Sequence, residues 1–247
     1  MNTDRPENAE SQSVLPPERP ALSLLERVDP RRGAALFIDL QHDFCSPGGA
    51  TARTGLDPAP MQAVLPAAGR LLAAARAQGV PVIHVRAEYN SPGNPYLSDA
   101  WLDQARRRWD GRYVRVPMCV PGSWGAATCP EVAPAPGEPI VVKHRFSAFA
   151  GTELDLLLRS RGIRTLVVAG VITYVCVEST VRDAFFADYH VVVCSDAVGG
   201  WNAEWHRHSL AIMDFGFAEV VPSASVLEAW AETAAASAGA VAGARPA

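Results

Sequence analysis

Residues 164–189 read RTLVVAGVITYVCVESTVRDAFFADY, and this stretch decides the fold. Residues 164–169 form an apolar run of strand length, and helical spacing takes over around residues 175–189. A strand whose interior carries no alternating polar side chains is covered on both faces, the habit of parallel sheets. Cys176 falls where the strand has ended and the helix begins. The same alternation recurs in both directions. Upstream, residues 34–40 (AALFIDL), 80–85 and 139–143 have strand character. Helical spacing marks residues 62–78, through Leu65, Leu71, Leu72 and Ala75, with Gly79 as the stop and Pro66 expected to kink the first turns. It marks residues 152–161 as well, through Leu154, Leu157 and Leu158, closed by Gly162. Downstream, short strands at 191–194 and 219–222 flank a helix at 205–215, and a last helix contains Leu227 and Trp230. With right-handed crossovers these elements predict an α/β domain: a doubly wound, mostly parallel sheet with helices on both faces.

The chain has 247 residues, of which 49% are apolar, enough to fill the core of one domain. Residues 1–30, rich in Pro, Glu, Ser and Asn, read as a flexible or loosely docked extension. The domain is then 31–232, and 233–247 is a small-residue tail expected to fray. Residues 89–138, dense in Pro, Gly, Trp and Arg and without clear regular structure, are expected to form a lid, a substrate wall or an oligomer contact. A formal charge of −4 supplies no basic field for nucleic acid. No apolar run approaches the roughly 20 residues that span a bilayer. The polar start MNTDRPENAESQ has no secretory h-region. Five cysteines without a C-x-x-C pair fit a reduced, cytoplasmic protein better than a disulfide framework.

Ligands of open parallel sheets bind beyond the carboxyl ends of the strands. Three complementary side chains fall there: Asp39 after the first strand, Lys143 at the end of the third, and Cys176 after the fourth. A cysteine at a helix start, beside a lysine, is expected to have a lowered thiol pKa. A carboxylate can take the thiol proton and return it to a leaving amine. Singly, each residue has an ordinary structural reading: a core thiol, a turn-forming Asp, a solvated edge charge. Together at one sheet edge they read as a nucleophile with its base and its electrostatic partner. Cys45, Cys119, Cys129 and Cys194 follow no strand into a helix start and read as structural, and His206 and His208 as surface residues.

Three blocks carry a resemblance: ALFIDLQHDF at 35–44, VVKHRFSAF at 141–149 and AGVITYVCVESTVRDA at 169–184. In order and spacing they resemble the isochorismatase-like cysteine hydrolases, whose members include nicotinamidases, N-carbamoylsarcosine amidohydrolase, biuret hydrolase, ureidoacrylate amidohydrolase and isochorismatase. The resemblance implies a three-layer α/β/α hydrolase domain. It implies Asp39 as general base, Lys143 as electrostatic partner and Cys176 as nucleophile. It also implies a cis peptide joining Val171 to Ile172, and an oxyanion hole from the backbone N–H groups of Ile172 and Cys176. The reaction implied is acyl transfer on a small amide or ureide through a thioester, with release of ammonia or an amine and no cofactor. Members commonly form dimers or tetramers.

Departures from the family narrow the substrate. No histidine stands between His42 and His84, so the metal ligands of nicotinamidases are missing and no metal is expected. Isochorismatases acting on a vinyl ether typically lack the cysteine that Cys176 supplies. The third block looks most like ureide-cleaving members, although Tyr174 stands where those have Asn or Asp. Arg145 is a candidate to bind a carboxylate or ureide oxygen through its planar fork. Trp124, Tyr174 and Phe149 are candidates for an apolar pocket wall. Two other readings compete with the amidohydrolase: an isochorismatase-type or secondary-metabolite tailoring hydrolase, and a catalytically silent binding subunit.

Overall fold

In the computed structural model, residues 21–89, 95–107 and 111–243 are described. Six strands form one sheet: β1 (Gly33–Ile38), β2 (Val82–Ala87), β3 (Ile140–Lys143), β4 (Thr165–Val171), β5 (His190–Gly199) and β6 (Glu219–Val221). Their order is β3-β2-β1-β4-β5-β6, and every neighbouring pair is parallel. The sequence-based expectation of a doubly wound sheet therefore holds, with no antiparallel member among the described strands.

The period-2 geometry of β1 shows why its sequence is apolar throughout. Ala35 and Phe37 enter one core, shared with Leu65, Leu71 and Leu72 of the Leu65–Ala77 helix and with Trp230. Ala34, Leu36 and Ile38 enter a second core on the other face, with Leu154, Leu158, Val181 and Met213. Pro66 lies in the first turn of the Leu65–Ala77 helix, where no intrahelical bond is lost, so it starts the helix rather than kinking it.

β5 runs well beyond the expected 191–194. Ser195 and Asp196 interrupt the apolar pattern but not the strand, because an irregularity between Val168 and Gly170 lets Val198 and Gly199 pair with Gly170 and Val171. The Asp196 carboxylate meanwhile accepts from the backbone N–H and hydroxyl of Ser223 at 2.6 and 2.7 Å. The last helix, Ser223–Gly243, also continues through most of the expected tail, as its alanine content favours. At the other end, Leu24–Arg27 is a helical turn closed by a Ser23–Glu26 capping box. Val28 beyond it is fully buried, and its carbonyl accepts from Trp230 Nε1 at 2.8 Å.

Within 89–138, helical segments Asp99–Arg107, Arg112–Arg115 and Pro130–Val132 appear where no clear regular structure was expected, while residues 90–94 and 108–110 lie outside the described residues. Among the described residues, no helix is long and apolar enough to cross a membrane.

The chain reverses its direction of winding between β1 and β4, the switch point where ligands bind in such sheets. Gly170 allows those two strands to meet closely: its φ is +145°, and a Cβ there would stand 2.3 Å from the Ile38 carbonyl oxygen.

Candidate active site

The strand order places Lys143, Tyr89, Asp39 and Cys176 side by side, from β3, β2, β1 and β4. Asp39 follows β1 in a left-handed backbone conformation, φ 53°, which Asp tolerates better than most residues. Its N–H donates to Val85 O at 2.9 Å, so the turn is fastened to β2. Lys143 ends β3 in register with Ala87. Its fully buried stem carries Nζ to 2.7 Å from Asp39 Oδ2 and 3.3 Å from Cys176 Sγ. Nζ also donates to Tyr89 Oη at 3.0 Å and to Arg145 O at 3.1 Å. Cys176 is reached from β4 through a cis Val171–Ile172 peptide and a π turn, Thr173–Val177, that passes into the Glu178–Phe186 helix. The structure thus brings the three expected groups together. Asp39 and Lys143 have no exposed surface, and Cys176 keeps 3% of its own.

The electrostatics overturn one expectation. Burial, then the negative charge of Asp39, push the Cys176 thiol up to about 12, outweighing Lys143. The helix start and the lysine were expected to lower it. They do not, because the thiol is buried and the lysine's charge is shared with the closer carboxylate. Burial also raises the Asp39 carboxyl, against the pull of Lys143. Burial opposes the Lys143 charge, but Asp39 and Cys176 more than offset it and hold the ammonium above its ordinary value. Burial thus favours the neutral thiol and makes Asp39 a stronger base than an ordinary carboxylate, a pairing suited to proton transfer.

The other expected residues are spread more widely. Ile172 is buried directly before the π turn. Arg145 Nη1 donates to Tyr96 O and His144 O at 2.8 and 2.7 Å, and its guanidinium lies over Trp101. It is tied to carbonyls rather than standing as a solvated charge. Tyr174 accepts from Asn202 N at 3.1 Å and meets Trp201 and Trp205 edge-on. Phe149 packs on Tyr189. Trp124 is 55% exposed, stacked on His42, and lines a hollow of about 340 Å³ with Asp43, Arg53 and Pro117 that includes none of the three central residues. His206 is not a surface residue: it is half-buried, with Nδ1 2.9 Å from Thr173 Oγ1 at the start of the π turn. His208 is exposed. Cys45, Cys119, Cys129 and Cys194 are all buried free thiols.

Two residues escaped sequence reasoning. Tyr89, 1% exposed, sits with its hydroxyl between the lysine and the thiol. Gln41, fully buried, bonds Ala87 N and O at 2.8 and 3.1 Å and Ala126 O at 2.9 Å, fixing the β2 end to the loop beside the Asp39 turn. Its place two residues after Asp39, at the polar end of an apolar run, was the available signal. Tyr89, Trp101 and Phe146 form an aromatic trio with ring separations of 4.7–6.5 Å. Among the described residues no group of three or more His, Cys, Asp and Glu gathers that could hold a metal ion.

A parallel α/β sheet with a carboxylate, an ammonium and a thiol gathered at its switch point defines a class, and comparison with known proteins specifies it. The chain belongs to the isochorismatase family: a family model described as Isochorismatase domain matches residues 33–225. It is 36% identical over 214 residues to ureidoacrylate amidohydrolase RutB of Methylobacterium radiotolerans, covering 83% of this chain and 80% of that protein. It is likewise 36% identical over 195 residues to ureidoacrylate amidohydrolase RutB of Rhizobium rhizogenes, covering 76% and 77%. Among solved structures it superposes on a cysteine hydrolase from Pseudomonas syringae pv. phaseolicola 1448A with TM-score 0.72 and 26% identity, covering 84% of this chain and 96% of that one.

Proposed function

We propose that this protein is a cysteine-dependent amidohydrolase that cleaves a C–N bond of a small ureide or carboxamide through a thioester. One observation carries the reading: a single buried ammonium lies 2.7 Å from Asp39 and 3.3 Å from Cys176. Family membership and the ureidoacrylate amidohydrolase names of the relatives support the ureide class.

In this reading Asp39 takes the Cys176 proton as sulfur attacks the substrate carbonyl carbon. Lys143, released from part of its pairing as Asp39 becomes neutral, turns its charge toward the developing thiolate. The N–H groups of Ile172 and Cys176 hold the tetrahedral oxyanion, where one donor is worth roughly 3 kcal/mol. The C–N bond breaks, and the proton held by Asp39 goes to the departing nitrogen. Asp39 then takes a proton from water, the hydroxide cleaves the thioester, and sulfur recovers its proton. No step calls on a cofactor. Arg145, fixed over Trp101, is assigned to a substrate carboxylate or ureide oxygen. The enzyme acts as a dimer or tetramer in the cytoplasm, where five buried free thiols stay reduced.

Ammonia release over a panel of ureides and carboxamides tests this reading, with Cys176→Ala as control. The parent is expected to turn over at least one ureide and the variant none. Turnover by Cys176→Ala at the parental rate would refute it.

A further inference from the structure

Lys143 Nζ has three protons to give, yet four acceptors lie within 3.3 Å of it: Asp39, Tyr89, Arg145 O and Cys176. The sulfur is the farthest of the four. A lysine so divided holds a thiolate incompletely, and a second donor is already in place. Tyr89 Oη lies 3.7 Å from Cys176 Sγ and 3.4 Å from Arg145 O, and it accepts from the lysine.

We propose that Tyr89 is a catalytic residue whose hydroxyl donates to the Cys176 sulfur as the thiol ionises, so that the thiolate is held by lysine on one side and phenol on the other. The proposal rests on the reading of Cys176 as nucleophile. In the resting site the phenolic hydroxyl has both the Arg145 carbonyl, at 3.4 Å, and the sulfur, at 3.7 Å, within reach. As the thiol proton passes to Asp39, sulfur becomes the strongest acceptor within reach, and the phenolic proton turns to it without leaving oxygen. The lysine that donates to the same oxygen polarises the O–H bond and strengthens the donation. In so buried a site such a donor meets little competition from solvent. Packing on Trp101 and Phe146 holds the ring in place independently of the hydroxyl.

Tyr89→Phe keeps those ring contacts and removes only the donor. The experiment follows alkylation of Cys176 by iodoacetamide, mapped by peptide mass, across neutral pH, alongside turnover of the best panel substrate. Tyr89→Phe is expected to alkylate about 10-fold more slowly at every pH, with kcat lowered similarly and KM changed less than about twofold. Replacing Tyr89 by 3-fluorotyrosine, a more acidic phenol, is expected to speed alkylation by about twofold below the pH at which that phenol ionises. Parental alkylation rates in Tyr89→Phe, or an unchanged or slower rate with fluorotyrosine, would overturn the proposal. The fluorotyrosine protein decides alone if Tyr89→Phe does not fold. Turnover by Cys176→Ala would instead overturn the nucleophile assignment, leaving the alkylation result to judge Tyr89.

Discussion

Lys143 Nζ stands 2.7 Å from Asp39 Oδ2, and neither side chain has any surface in contact with solvent. Such a pair adds little net stability, because desolvation consumes most of the Coulomb attraction. Its worth lies in what each partner does to the third residue. Burial, then the charge of Asp39, favours the protonated thiol, and in the proposed mechanism the same carboxylate takes that proton.

Lys143→Met leaves the Asp39 carboxylate buried without its cation. The variant is expected to lose about 3–5 kcal/mol of unfolding free energy in denaturant titration. Adding Asp39→Asn should return part of that loss while turnover stays absent. A single Lys143→Met as stable as the parent would show that the ion pair does not form.

Glu138 fastens the approach to β3. Its carboxylate takes two bonds from Arg76, at 2.7 and 2.8 Å, one from Ala135 N and one with His84. The Arg76 bonds lead in lowering it from 4.5 to about 2. A depressed folded-state pKa means that this contribution is whole above the ordinary value and is lost as pH falls through the window toward 2. In thermal melts against pH, Glu138→Gln should be less stable than the parent at neutral pH and should converge with it on acidification. Parallel curves would remove Glu138 from the acid response.

Gly170 lets the strands that deliver Asp39 and Cys176 approach closely. Gly170→Ala places a methyl against the Ile38 backbone at a φ that L-residues avoid. It should cost more than about 1 kcal/mol and reduce turnover, both measurable in one preparation. A variant with parental stability would mean that the two strands can separate freely.

Sequence patterns carried the sheet because its strands are buried on both faces: the interiors of β1 and β4 are apolar without alternation, so their ends, and therefore Asp39 and Cys176, could be located. Tyr89 was not legible for the opposite reason. It lies beyond a strand end in a segment of mixed composition, and it comes beside Lys143 and Cys176 only when β2 is set between β3 and β1. Ser195 and Asp196 hid the length of β5, since the partner of Asp196, Ser223, is 27 residues away in sequence. The thiol's basicity was misread because a helix start and a lysine are visible in sequence, whereas complete burial beside a carboxylate is a tertiary property.

In the proposed mechanism a neutral thiol is activated by proton transfer to Asp39. The neutral thiol with charged Asp39, and the thiolate with neutral Asp39, contain the same number of protons, so their ratio does not change with pH. The most direct measurement is the pH profile of Cys176 alkylation by iodoacetamide in the parent and in Asp39→Asn, mapped by peptide mass. The parent should label at a rate that is flat from about pH 7 to about pH 9, and Asp39→Asn far more slowly. A parental rate that climbs about tenfold per pH unit below the ordinary thiol pKa of about 8.5, or equal labelling without the carboxylate, would contradict the account.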